Sequence, residues 1–249
     1  MTMGFGLEGR IALITGAGSG IGYTLAHGLA RAGCVVALTD MDGDLAAKAA
    51  ETIAAETGAK VIGLALDVSD DDAIERVVPE VADRLGGIGI LVNNAGLARG
   101  RWQHLSDLTS DEWRRILHVN VGSLARMAHV CRPHLKASGH GVIINQSSNS
   151  AYFKLDSSYA VSKLAVAGLT IGLAEEFVGD NIRVNGIAPG MMTGRVPQPI
   201  IDMVLSKQVL QRRGQPEDLV GALLYLCSDV SSFMLGQTLL VDGGAALRI

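Results

Sequence analysis

Short apolar segments, each followed by turn residues and a helical pattern, recur along this sequence. The first is residues 11–14, a fully apolar run typical of a parallel strand that is covered on both faces. It leads through a glycine-rich turn into a helical pattern at residues 23–32, and residues 35–39 form the next apolar run. This order predicts βαβ units built around a parallel sheet.

The same period continues to the end of the chain. Further strands are predicted at residues 61–66, 90–92, 142–144, 182–188 and 238–241. Helices are predicted at residues 44–57, 70–85, 110–117, 120–137, 158–177 and 216–227. Ser69 has the residue type of a cap for the second of these helices, and Pro79 should kink that helix.

Length and composition limit the possible function classes. The chain has 249 residues, a length commonly found in one α/β domain, so we expect residues 1–249 to form a single domain with an apolar cover at 191–211. A net charge of -4 gives no basic field for nucleic acid. No apolar run approaches the ~20 residues of a membrane span. We therefore expect neither a nucleic-acid nor a membrane partner.

The cysteines and histidines suggest neither a disulfide framework nor a metal site. Cys34, Cys131 and Cys227 lie far apart and are odd in number. None of the six histidines has the spacing of metal ligands. The cysteines are expected to be reduced core thiols of a cytoplasmic protein.

The glycine-rich turn TGAGSGIG begins at Thr15, between the first strand and the first helix. Its glycines would let backbone N–H groups approach a phosphate at the positive end of the helix. A turn that needs glycine only for tight packing of the strand on the helix is the alternative. The position of the turn favours nucleotide binding.

Asp40 ends the second predicted strand. In a βαβ unit this carboxylate lies where it can accept hydrogen bonds from a ribose and would repel a 2'-phosphate. Neither Ser19 nor Met41 adds a positive charge for that phosphate. Asp40 therefore predicts NAD rather than NADP, with a plain turn residue as the alternative, a role that Asp42 could also fill.

Tyr159 and Lys163 are four residues apart on the helix predicted over residues 158–177, so they share one face. A fixed ammonium beside a phenol favours the phenolate, and such a phenol can exchange a proton with a substrate oxygen. Taken alone, the pair also occurs on ordinary solvated helices. This helix is apolar or small nearly all round, which predicts contact with a partner subunit on the side away from the sheet.

An ordered series of motifs resembles the short-chain dehydrogenase/reductase family along nearly the whole chain. The series is TGAGSGIG, Asp40, Asp67-Val68, NNAG from Asn93, Asn120, a serine pair, Tyr159-x-x-x-Lys163, Pro189-Gly190 and GQTLLVDGG from Gly236. The resemblance is to the NAD-preferring type. It implies a single α/β Rossmann fold, a doubly wound seven-stranded parallel sheet in the order 3-2-1-4-5-6-7 with helices on both faces. It also implies a homotetramer, or at least a homodimer.

The resemblance assigns four catalytic roles. Tyr159 is the implied acid/base, and Lys163 promotes its ionisation and binds the nicotinamide ribose. Ser148 would hold the substrate oxygen. Asn120 would anchor a water relay that returns the proton to solvent.

The resemblance also implies a set of cofactor contacts, with Tyr159 and Lys163 among them. The other contacts are Gly16, Ser19 and Ile21 at the diphosphate, Asp40 at the adenosine ribose, Asp67 and Val68 at the adenine, Asn94 and Gly96 at the second ribose, and Pro189, Gly190 and Met192 at the nicotinamide. NAD is the expected cofactor.

The sequence departs from the family pattern in two places. Tyr159 comes only 11 residues after Ser148, a shorter connection than usual, and Ser147 is the alternative catalytic serine. A threonine that often holds the cofactor is replaced by Gly194, with Thr193 one position earlier.

The predicted reaction is hydride transfer between NAD and a secondary alcohol or ketone. A 3-oxoacyl-carrier-protein reductase is the alternative; such enzymes usually prefer NADP and would need a basic landing patch, to which Arg99, Arg101 and Arg126 could contribute. A non-catalytic NAD-binding sensor is a further alternative.

The sequence leaves the substrate open between two classes. Tyr152, Lys154 and Asp156 hint at a polyol or sugar. The methionines of the cover equally suit an acyl or ring compound.

Overall fold

The structure is a computed structural model that describes residues 5–98, 104–152, 155–194 and 196–246. Seven parallel strands form one sheet in the order β3-β2-β1-β4-β5-β6-β7. They are β1 (Ile11–Thr15), β2 (Val35–Asp40), β3 (Val61–Ala65), β4 (Ile90–Asn93), β5 (Gly141–Gln146), β6 (Ile182–Pro189) and β7 (Thr238–Val241). The sheet order expected from the resemblance is confirmed.

Helices cover both faces of the sheet. They are α1 (Gly20–Arg31), α2 (Gly43–Thr57), α3 (Asp71–Leu85), α4 (Ser110–Leu117), α5 (Ser123–Ala137), α6 (Ser158–Phe177), α7 (Gln198–Leu205) and α8 (Val220–Cys227). The predicted helix at residues 216–227 begins as a 3₁₀ turn, Pro216–Leu219. α7 is an element that the sequence pattern did not predict within the cover.

Two hydrophobic clusters, one on each face, use alternate residues of each strand. In β1, Ala12 and Ile14 pack into the cluster formed with α1, α2 and α8, whereas Leu13 packs into the cluster formed with α3, α5 and α6. Alternation of this kind follows from the two-residue period of a strand. Burial on both faces explains the continuous apolar runs in the central strands β1, β4 and β5.

The start of α3 differs from the prediction. Asp70, not Ser69, is the N-cap, because the Asp70 carboxylate accepts a hydrogen bond from Ala73 N at 3.1 Å. Ser69 instead donates from its backbone N and its hydroxyl to Asp67 Oδ1, at 2.8 and 2.7 Å. The helix continues through Pro79 to Leu85, and a kink there stays a prediction.

The three thiols Cys34, Cys131 and Cys227 are buried and free, as expected. Burial raises the pKa of Cys34 to about 11 and that of Cys227 to about 12. Among the described residues, no helix combines the length and apolarity needed to cross a bilayer. Arg99, Arg101 and Lys154 lie outside the described residues.

Candidate active site

Lys163 is almost completely buried on α6, with 3% of its surface exposed. Its Nζ donates to Gln146 O at 2.8 Å and lies 5.8 Å from the centre of the Tyr159 ring. The helix that presents both residues begins after Ser157, whose hydroxyl accepts from Ala160 N at 3.2 Å. The carboxyl end of β5 therefore fixes a buried ammonium beside the phenol.

Asn120 lies in a π-helical turn, His118–Gly122, which joins α4 to α5. Its Oδ1 accepts from Leu97 N at 2.7 Å, while Nδ2 donates to Leu97 O at 3.0 Å and to Ser162 Oγ at 2.9 Å. π-helical turns of this kind are rare and are frequent at functional sites. Asn120 thereby links the loop after β4 to α6.

Gly96 occupies the space between Asn120 and Lys163. A methyl group added at Gly96 would lie 3.2 Å from Asn120 Oδ1 and 3.4 Å from Lys163 Nζ. The structure therefore brings three of the predicted site residues together, and a side chain at position 96 would crowd them.

The two candidate serines after β5 have different contacts. Ser147 donates from Oγ to the backbone oxygen of Lys163 at 2.7 Å. Ser148 Oγ accepts from Ser150 N at 3.2 Å and from Ser150 Oγ at 2.9 Å. Ser147 thus uses its hydrogen to hold α6, whereas these contacts of Ser148 leave its own hydrogen to donate.

The glycine-rich turn packs closely against the loop after β4. Gly16 has φ +62, and a Cβ there would lie 2.8 Å from Ala95 Cα. Asn94 Nδ2 donates to Thr15 O at 2.8 Å and to Gly16 O at 2.7 Å. A Cβ at Gly22 would lie 2.3 Å from Gly16 O. Packing alone therefore requires glycine at these positions, as the alternative interpretation expected.

The same turn also borders a cleft of about 790 Å³. Eight of the predicted cofactor contacts line it: Gly16, Ser19, Ile21, Asp40, Asp67, Val68, Asn94 and Gly96. Within the part of the chain that the structure describes, the Ser19 side chain caps no backbone N–H, and the first turn of α1 holds no acidic residue. The positive end of α1 is therefore available to an anion in this cleft.

The two carboxylates in the cleft are held by local hydrogen bonds. Asp40 Oδ2 accepts from Gly18 N at 3.1 Å, and its Oδ1 accepts from Asp42 N at 3.2 Å. The hydrogen bonds from Ser69 hold the pKa of Asp67 below its usual value. Both carboxylates are therefore oriented acceptors.

Pro189, Gly190 and Met192 lie at the next strand end rather than along the 790 Å³ cleft. Gly190 N donates to Val241 O at 3.0 Å, and Gly190 and Met192 line a smaller cavity of about 220 Å³. Because Gln146 is paired with Ile187 in the sheet, the ends of β5 and β6 share one edge. Thr193 donates to Gln215 Oε1 at 2.9 Å.

Sequence reasoning missed several residues of the site. Some act through a backbone group or a short side chain, namely Gln146 and Ser162. Others line the cleft from α4 and the adjoining turn, namely Asp111, Arg114, Arg115 and His118. A backbone acceptor such as Gln146 O leaves no signal in the sequence, and the α4 residues look like an ordinary solvated helix face.

Comparison with known proteins identifies the family. The family model described as enoyl-(acyl carrier protein) reductase matches residues 16–246. A 3-oxoacyl-(acyl-carrier-protein) reductase of Thermotoga maritima is 34% identical over 250 residues, covering 97% of this chain and 99% of that protein.

Two solved structures share the fold over almost their whole length. A 7α-hydroxysteroid dehydrogenase, complexed with NADH and 7-oxo glycochenodeoxycholic acid, is 32% identical with a TM-score of 0.92, covering 98% of this chain and 97% of that chain. L-sorbose reductase from Gluconobacter frateurii, complexed with NADPH and L-sorbose, is 29% identical with a TM-score of 0.92, covering 99% and 100%. The chain therefore belongs to the short-chain dehydrogenase/reductase family of oxidoreductases, which act on alcohols and ketones.

Proposed function

We propose that this protein transfers hydride between NAD and a secondary alcohol or ketone, with Tyr159 as the acid/base. The observation that carries the proposal is the buried Lys163 ammonium, fixed by Gln146 O beside the Tyr159 ring. A buried charge is costly unless it is bonded, so this position supports a chemical role rather than a solvated helix pair.

The residues of the cleft fit a dinucleotide. The glycine turn leaves backbone N–H groups at the start of α1 for a diphosphate, and Asp40 offers a carboxylate for ribose hydroxyls. When bound, the nicotinamide ring supplies the carbon that takes or gives the hydride.

The protein's own side chains would handle the proton. In the oxidising direction, Tyr159 Oη takes the proton of the substrate hydroxyl, and the Lys163 ammonium beside the ring supports this proton transfer. The Ser148 hydroxyl donates to the same substrate oxygen, since its known contacts use it as an acceptor. Asn120, bonded to Leu97 and Ser162, anchors the water relay that returns the proton to solvent.

Asp40 supports NAD rather than NADP. One solved relative is complexed with NADH and another with NADPH, so the preference depends on this chain's own residues. A carboxylate held toward the glycine turn would repel a 2'-phosphate. The remaining predicted contacts belong to the same proposal: Asp67 and Val68 at the adenine, Asn94 and Gly96 at the second ribose, and Pro189, Gly190 and Met192 at the nicotinamide.

A carrier-protein reductase is the second candidate function, favoured by the likeness to the Thermotoga maritima enzyme. A basic landing patch would be needed for an acidic carrier protein. Arg126, one of the three arginines considered for it, forms an ion pair with Glu75. This pairing favours a small-molecule substrate.

The whole chain is proposed to act as one catalytic domain, with residues 191–211 covering the substrate. The buried thiols support a reducing compartment such as the cytoplasm. The exposed apolar face of α6 supports a homodimer, and the family resemblance extends this to a homotetramer.

Turnover in a Tyr159→Phe variant tests the proposal. We expect the variant to keep NADH binding nearly intact, because only one hydroxyl among many cofactor contacts is lost, and to lower kcat by about 100-fold or more. Oxidation of polyols, hydroxyacyl thioesters, cyclic alcohols and sterols would be followed by nicotinamide absorbance, with NAD and NADP offered separately.

The outcomes separate the candidate functions. Equal turnover by Tyr159→Phe would overturn the assignment of the acid/base. Turnover with NADP alone would favour the carrier reductase, and NADH binding without turnover of any substrate would favour a sensor.

A further inference from the structure

The two ends of the cover meet in a short paired segment. Gly214 N donates to Met191 O at 2.9 Å, and Thr193 N donates to Gly214 O at 2.8 Å. We call residues 191–194 and 213–215 the neck of the cover. The segment that connects these two stretches includes α7.

Residues 213–215, which we call the returning side of the neck, follow a segment that is bonded to the rest of the molecule. Leu210 N donates to Gly243 O at 2.9 Å, beside the end of β7. Arg212 makes two hydrogen bonds to the carboxylate of Asp218, at 2.7 and 3.0 Å. Gln208, 5% exposed, donates from its amide to the backbone oxygen of Arg212 at 2.6 Å.

Residues 191–194, which we call the outgoing side of the neck, lead into α7, a helix that packs weakly on the rest of the molecule. Every residue of α7 is partly or fully exposed, so this helix offers little apolar burial to hold the segment before it. Gly194 has φ +148, a conformation that other residues rarely adopt. Met192 also packs against the core, so residues 191–194 are positioned by this packing together with the contacts across the neck.

Arg213 makes the side-chain contact across the neck to two backbone oxygens. Its Nη2 donates to Met192 O at 2.5 Å and to Gly194 O at 3.1 Å. A guanidinium is charged at all accessible pH values, and hydrogen bonds from a charged donor are stronger than neutral ones. Thr193, between the two oxygens, is bonded to Gln215 on the same returning side.

We propose that Arg213 is a positioning residue for the nicotinamide end of the cofactor site. Its hydrogen bond to Met192 O fixes Met192 relative to residues 213–215. The proposed function places Met192 at the nicotinamide, so the inference depends on that function. The adenosine end of the site lies along the glycine turn and Asp40, on other elements. Loss of Arg213 should therefore affect one end of the cofactor and not the other.

Binding of NADH and of ADP-ribose, which lacks the nicotinamide, tests the proposal by calorimetry without turnover. We expect Arg213→Met to weaken NADH binding about three- to tenfold and to leave ADP-ribose binding within about twofold. Arg213→Lys keeps the charge but offers a single ammonium, so we expect a smaller loss for NADH. Arg76→Met, which removes an exposed arginine from α3, should change neither affinity.

The other outcomes have separate meanings. An unchanged NADH affinity in Arg213→Met, or an equal loss for both ligands, would overturn the positioning role. If Arg213→Met does not fold, Arg213→Lys decides by the same comparison of the two ligands. If the unchanged protein binds neither ligand, the proposed function itself fails.

Discussion

Asp40 is the residue on which the proposed cofactor preference depends. We expect Asp40→Asn to move the ratio of kcat/KM for NADP over NAD upward by about tenfold or more. The substitution removes the charge that would repel a 2'-phosphate and weakens a hydrogen bond to the ribose, and hydrogen bonds to charged groups contribute about 1.5–3 kcal/mol. Initial rates with each cofactor measure the ratio.

Asp42 provides the matched control for Asp40. Its carboxylate accepts from Leu45 N at 3.1 Å and caps α2, so Asp42→Asn should leave the ratio unchanged. A ratio that moves equally in both variants would show that the preference depends on general charge and not on Asp40.

Asp40 and Asp42 also show what could and could not be predicted from the sequence about single residues. Two acidic residues at the end of β2 could be predicted to serve as a ribose acceptor and a helix cap. The structure supplies their local contacts: Asp40 accepts a hydrogen bond from Gly18 N, whereas Asp42 accepts from Leu45 N and caps α2. The serine pair is similar, because only the structure shows that Ser147 is bonded to the backbone of α6.

The connection between β3 and α3 gives a prediction at the scale of an element. Asp70→Ala should lower the free energy of unfolding by about 1 kcal/mol, because Ala73 N loses its partner at the start of the helix. Ser69→Ala keeps the bond to Ala73 N, so any loss it causes should come through Asp67 instead. Urea unfolding of both variants measures the difference.

The Ser69 variant has a separate expected effect, on Asp67. The pKa of Asp67 is held down mainly by the Ser69 hydroxyl, so Ser69→Ala should raise it toward its usual value, as followed by NMR titration. Because the folded pKa is lowered, Asp67 stabilises the native state above its unfolded pKa, and this is lost as the pH falls through the folded pKa. Ser69→Ala should reduce the part of the free energy of unfolding that Asp67 contributes and that is lost at acidic pH. A free energy of unfolding that Asp70→Ala leaves unchanged would contradict the assigned cap.

Strands and helices differed in how well the sequence predicted them. The central strands β1, β4 and β5 are buried on both faces and read as apolar runs, so their existence and order along the chain were predictable. The π-helical turn His118–Gly122 was not predictable, because a single widened turn barely alters the helical period. α7 was missed because its residues remain partly exposed and carry no clear buried face.

At the scale of the whole molecule, the residues that pack the cores and the residues proposed for catalysis lie in different parts of the sheet. Residues within the strands form two cores, while the residues proposed to act lie where the strands end, as expected for a doubly wound sheet. α6 contributes to both: it packs on the sheet through residues such as Val166 and Leu173, and it presents Tyr159 and Lys163 near its start. A contact on its outer face would therefore lie on the same helix as the acid/base.

The outer face of α6 leads to the last prediction. Leu164 and Ile171 are 41% and 52% exposed, and the exposed Gly168 and Gly172 lie between and beside them at helical spacing. Burying such side chains against a second copy would contribute about 1.5–3 kcal/mol for each. We expect the protein to be a dimer or larger by light scattering at micromolar concentration, and Leu164→Glu with Ile171→Glu to shift it toward a smaller species. Val209→Glu, at an apolar residue 63% exposed outside α6, should leave the assembly unchanged. A monomeric unchanged protein, or a double variant of unchanged mass, would contradict a subunit contact through this face.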